Sequence, residues 1–195
     1  MHISILDLFS IGIGPSSSHT VGPMKAACAF ANQLTVHPNY EDITNVRCDL
    51  YGSLAATGKG HGTGTALIFG FMGEMPDTID VATMDQRIAN LKETQKLTLS
   101  APAGRAGKEI HFSGQEHIDY HRLQPLPLHP NGMHFYASDG EGKIMHEEIY
   151  YSLGGGFIST ESELKTPAPH QSVTVDCPHP FDCGDDLLEQ CQGMH

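Results

Sequence analysis

The sequence predicts an α/β (α+β) fold, a mixed, largely antiparallel sheet covered by helices. Three observations point to it. Helix-forming runs sit in the first half, at Met24–Leu34 (MKAACAFANQL) and Ala66–Gly73 (ALIFGFMG). Between them Asn45–Tyr51 alternates Val46, Cys48 and Leu50 with Arg47 and Asp49, the period of a half-buried strand. From Lys108 onward, strand-like runs recur between turn signals.

Taken in order, Ser4–Ser10 carries Ile5, Leu6, Leu8 and Phe9, a short helix or strand that stops at Gly12 and Gly14. Gly14–Pro23 (GPSSSHTVGP) has turn composition, and Pro23 suits the first turn of the helix after it. The glycine-rich run Gly52–Thr65 reads as a loop, with Thr63 or Thr65 able to cap the helix it feeds. Thr83–Lys92 predicts a surface helix with Met84, Ile88 and Leu91 on one face. Strands are predicted in KEIHF (108–112), MHFYAS (133–138) and KIMHEEIYYSL (143–153), with Asp139–Gly142 as a hairpin turn. Gly154–Gly156 would let a strand bend or approach another backbone closely. Residues 166–183 have linker composition, and Asp185–Cys191 predicts the first turns of a new helix. Residues 1–160 therefore form the expected domain, and 161–195 a linker plus the start of another, truncated one.

The chain has 195 residues, ample for a core, with 39% hydrophobic and 17% charged residues, which excludes a disordered chain. Acidic residues outnumber basic ones 23 to 11, for a net charge of -12. No basic surplus is left for a nucleic-acid backbone or an anionic membrane surface. The N-terminal segment lacks a basic region and a cleavage site, and no apolar run is long enough to span a membrane. Five irregularly spaced cysteines (Cys28, Cys48, Cys177, Cys183, Cys191) match no zinc or ferredoxin spacing. They read as the reduced thiols of a cytoplasmic protein, and no metal is assigned to them.

The 13 histidines outnumber Lys plus Arg, so histidine chemistry is where function is sought. Ser16-Ser17-Ser18-His19-Thr20 clusters hydroxyls just before a helix, where donors and dipole can hold a carboxylate or phosphate; ordinary capping is the competing account. Gly58-Lys-Gly-His-Gly-Thr-Gly64 leaves the His61 imidazole uncrowded, as a general base requires. It is neither a Walker A motif nor a dinucleotide fingerprint, and a flexible loop would have the same composition. His129 and Asn131 lie in a Pro-Asn-Gly turn leading into a strand. His117 and His121 have the spacing of helical zinc ligands but no third ligand, and are not assigned as a site.

In this order, IGIGPSSSHTVGPMKAA, DLYGSLAATGKGHGTGTALIFG, LPLHPNGM and YYSLGGGFI resemble the N-terminal beta domain of bacterial iron–sulfur-dependent L-serine dehydratases (L-serine ammonia-lyases). The resemblance runs from Ile3 to Ser159 and extends thinly into PFDCGDDLLEQC. It implies a fold like the allosteric substrate-binding domain of some phosphoglycerate dehydrogenases. It also implies conversion of L-serine to pyruvate and ammonia, in amino-acid catabolism and gluconeogenesis. The family's [4Fe–4S] cluster is the Lewis acid, and its ligands belong to a C-terminal catalytic domain outside this chain. Implied partners are L-serine, that domain and a second copy in a homodimer. Carried across, His61 is the base, and His19 a further catalytic residue. Ser16, Ser17, Ser18 and Thr20 line the pocket, with His129 and Asn131 nearby for substrate. Gly64 departs from the family, which has Asp after His-x-Thr. A regulatory serine-binding module without catalytic residues is the alternative, and the chain alone is expected to be inactive.

Overall fold

A computed structural model describes residues 9–101, 104–166, 181 and 183–192. The chain divides into two compact units, Met1–Lys165 and Thr166–His195. Of the sequence expectations, Ser4–Leu8, Cys177 and most of the linker lie outside the described residues.

In the first unit a single π-helical turn, Ser17–Val21, runs without a break into helix α1 (Gly22–Thr35). Strand β1 (Asn45–Tyr51) leads directly into α2 (Gly52–His61), and α3 (Thr63–Phe71) follows after one residue. Then come α4 (Met84–Thr94), β2 (Lys96–Leu99), β3 (Lys108–His111) and β4 (Ile118–His121). The unit closes with β5 (Gly132–Ser138), β6 (Ile144–Gly154), β7 (Phe157–Thr160) and the short α5 (Glu161–Lys165). In the second unit α6 spans Gly184–Gln192, where the first turns of a helix were predicted.

The main sheet has the order β4-β1-β5-β6-β7, with β1 and β4 parallel and the other pairs antiparallel, a mixed and largely antiparallel sheet of the class the sequence predicts. KEIHF, however, pairs with the unanticipated β2 in a separate two-stranded sheet. The triple glycine does more than bend a strand. All three of its residues have positive φ, and the chain turns back to make β7. His121 ends a strand and His117 precedes it, so their spacing is not that of helical ligands.

Alternation sets which face is buried. Val46, Cys48 and Leu50 of β1 and Met133, Phe135 and Ala137 of β5 point into the core, where α1 and α3 cover them. Phe30 of α1 stacks on Phe135 at 5.2 Å, and Phe71 of α3 meets Phe135 edge-on at 5.8 Å. Each such ring contributes roughly 1.5–3 kcal/mol by burial. The two helices approach closely because Gly70 has no side chain: a Cβ there would collide with the Met24 carbonyl and stand 2.6 Å from Ala27 Cβ. Among the described residues no helix is long and apolar enough to cross a membrane.

Candidate active site

The glycine-rich run is helical, not a loop. Leu54, Ala55 and Gly58 bury one side of α2, and Gly62 closes it with a left-handed φ of 73°, its N–H donating to the Gly58 carbonyl. Gly58 is glycine because Thr63 folds back against it, 2.9 Å from where a Cβ would be. The expected threonine cap of α3 is also absent: Gly62 occupies the cap position with no side-chain bond. Thr63 is diverted, and its buried hydroxyl donates to the His19 carbonyl at 2.6 Å. Thr20 makes the reciprocal bond, donating to the His61 carbonyl at 3.2 Å. Two threonines thus clamp the serine-rich turn to the end of α2.

The clamp brings His19 and His61 together, with ring centroids 5.0 Å apart and planes tilted by 43°. His61 is half-buried, and its Nδ1 lies 2.9 Å from the Thr57 carbonyl one helical turn back. A carbonyl only accepts, so Nδ1 carries a proton, and in the neutral ring the lone pair is on Nε2. His19 is buried, between the hydroxyls of Ser18 (2.9 Å from Nδ1) and Ser53 (3.2 Å from Nε2). Burial lowers its pKa, a hydrogen bond to the Ser53 main chain partly offsets this, and the neighbouring His61 lowers it further. On balance these surroundings favour the neutral form of His19.

The remaining predicted residues divide by role. Ser16 Oγ accepts from the His19 N–H at 3.3 Å and lies 3.3 Å from Ser18 Oγ, while the Ser17 carbonyl accepts from the Gly22 N–H. Asn131 is committed to the frame, its amide donating to the Ser152 carbonyl at 3.1 Å and its N–H to His129 Nδ1 at 3.1 Å. Ser152 in turn donates to the Ser18 carbonyl at 2.7 Å. A Cβ on Gly22 would collide with the Ser152 hydroxyl, so glycine is needed where α1 crosses β6. Sequence reasoning missed Ser53, Thr57, Thr63 and Ser152. Thr57 was accessible, since it stands four residues before His61, but only once the run is known to be helical. Gly64 packs toward β4, where a Cβ would stand 3.3 Å from Tyr120 Oη.

A second histidine cluster lies on the opposite face of the sheet. Asp49, 4% exposed, accepts from Arg47 at 3.0 Å and sits 3.5 Å from His121 Nε2. Tyr51 stacks on His121 at 4.7 Å. Burial, with Asp49 and Tyr51 nearby, pushes the Tyr136 phenol up to about 12. Tyr136 thus keeps its proton and donates to His134 Nδ1 at 2.7 Å, and His134 Nε2 donates to Glu147 at 3.1 Å.

Cys28 and Cys48 are buried, and burial pushes both thiols up; Cys183 and Cys191 are exposed on the second unit. Among the described residues no three His, Cys, Asp or Glu side chains are grouped to hold a metal ion.

Comparison with known proteins places this geometry in context. The family model of the serine dehydratase beta chain matches residues 4–163. The chain is 44% identical over 188 residues to an L-serine dehydratase of Streptomyces coelicolor, covering 96% of this chain and 40% of that protein. It is 40% identical over 190 residues to L-serine dehydratase 2 of Escherichia coli, covering 97% and 40%. With an L-serine dehydratase of Mycobacterium tuberculosis, identity is 42% over 196 residues, covering 100% and 40%. The chain spans 40% of the length of these relatives.

Proposed function

Because this chain belongs to the serine dehydratase beta chain family, we propose that it is the part of an L-serine ammonia-lyase that completes an active site built with a separate catalytic domain. The observation that carries this reading is the His61 ring. Its Nδ1 proton is spent on the Thr57 carbonyl, which leaves Nε2 as a base held by a helix rather than by a mobile loop. His61 Nε2 takes the Cα proton of L-serine, and the β-hydroxyl leaves as water, a departure that the Lewis acid of the family's cluster would assist when bound. The resulting enamine tautomerises to an imine that water hydrolyses to pyruvate and ammonia. His19 stays neutral beside it, and the Ser16–Thr20 turn supplies hydroxyls for the substrate carboxylate. The ligands of the family's [4Fe–4S] cluster are assigned to the catalytic domain; among the described residues of this chain no His, Cys, Asp or Glu group is arranged to hold a metal ion.

The test is anaerobic pyruvate formation from L-serine after iron and sulfide reconstitution, with the chain alone and with a separately expressed catalytic domain. Activity in the mixture only is the expected result. Activity from the chain alone would mean that its own cysteines build the cluster. Serine binding without turnover in either case would leave a regulatory module.

A further inference from the structure

We propose that Thr20 and Thr63 are positioning residues for the imidazole pair, and that their two bonds act as one unit that sets where His61 stands relative to His19. This rests on reading His61 as the base. Each threonine reaches the main-chain carbonyl of the histidine on the other segment. The direction of both bonds is fixed, because a carbonyl has no proton to give. Thr63 donates to the His19 carbonyl at 2.6 Å, and Thr20 donates to the His61 carbonyl at 3.2 Å. Local structure leaves both acceptors short of a donor. Four residues after His19 stands Pro23, which has no N–H to give back along the helix. His61 is the last residue of α2, and its carbonyl is one of those that a helix end leaves without a partner of its own.

Both threonines are seated so that their hydroxyls have little else to do. Thr20 is 2% exposed and Thr63 0%, so a hydroxyl that lost its carbonyl could not turn to water instead. Glycines make room for them: a Cβ would stand 2.8 Å from Thr20 Oγ1 at Gly14, and 2.9 Å from Thr63 Oγ1 at Gly58. His19 and Thr20 are consecutive, and one residue separates His61 from Thr63. The two bonds therefore close a small ring, and a shift of either segment strains both. The ring centroids of the two histidines are 5.0 Å apart as a result. A base misplaced by about 1 Å loses about 10²-fold in rate, so this frame acts on turnover through His61.

Valine keeps the shape of threonine and removes the donor, which makes Thr20→Val, Thr63→Val and the double variant the test. In NMR of the 195-residue chain, cross-relaxation between the His19 and His61 ring protons should weaken in each single variant while the rest of the spectrum is kept. Unchanged ring-to-ring signals overturn the proposal. In the chain assembled with its catalytic domain, each single variant should lower kcat about 10-fold or more and leave KM for L-serine within about threefold. The double variant should lose little more than the worse single one, and Thr63→Ser should restore kcat. Ile110→Ala, which opens a cavity beside the separate two-stranded sheet, should leave kcat unchanged. Additive losses, no rescue by serine, or an equal loss in Ile110→Ala overturns the proposal. Turnover that survives His61→Ala overturns the base reading alone, since the NMR result does not depend on it.

Discussion

The two histidine clusters of the main unit are built from the same side chain and do opposite things with it. In the cleft, His19 and His61 are held by hydroxyls and main-chain carbonyls. On the outer sheet face, His121 and His134 are set against the carboxylates of Asp49 and Glu147. His134 Nε2, which donates to Glu147, has no lone pair there to offer, whereas a ring that spends Nδ1–H on a helix carbonyl presents Nε2 intact. What makes an imidazole a candidate base is therefore its partner, and the difference lies in the secondary structure that chooses it. A helix places a carbonyl one turn below His61; neighbouring strands place charged side chains beside His121.

The sharpest way to break this contrast is paired substitution. His61→Ala should lower kcat of the assembled enzyme by about 10² or more, and His121→Ala should change it less than about threefold by the same arithmetic. Equal losses would remove the distinction between the clusters. Next in size is the frame of the cleft. Gly22→Ala drives a methyl into Ser152 and displaces its bond to Ser18, at a cost of about 1–3 kcal/mol in denaturant unfolding. A wild-type midpoint would show that the crossing of α1 and β6 is looser than the packing indicates. Thr63→Val leaves the buried His19 carbonyl without its hydroxyl and should cost about 1–2 kcal/mol, with Thr63→Ser recovering most of it.

Acid should act through buried imidazoles. Burial lowers the pKa of His19 and of His146 in the folded chain. The unfolded chain then binds more protons below its own histidine value of about 6.5, so stability is full above that pH and declines as pH falls toward the folded values. Thermal melts between pH 7 and 5 should show this decline, and His19→Gln should flatten it. An unchanged slope would place the acid sensitivity elsewhere. The smallest effect is expected at Gly60, inside α2 with open space where its Cβ would be. Gly60→Ala should stabilise by about 0.5–1 kcal/mol, and destabilisation would argue against a helical run up to His61.

Much of the fold was legible because it follows from local periodicity. The alternation of Val46, Cys48 and Leu50 and the hairpin turn at Asp139–Gly142 correspond to β1 and to the β5–β6 connection. The glycine-rich run misled because glycine lowers helix propensity, and packing of Leu54, Ala55 and Gly58 overrode that preference. The sequence by itself determined which residues could carry chemistry: the serine-rich turn, His19 and His61. Only the tertiary structure decided their partners. Ser53 reaches His19 across 34 positions, Thr63 across 44, and Ser152 braces Ser18 across 134. Such pairs are set by sheet register and helix crossing, which depend on the whole core, and no local pattern of residues encodes them.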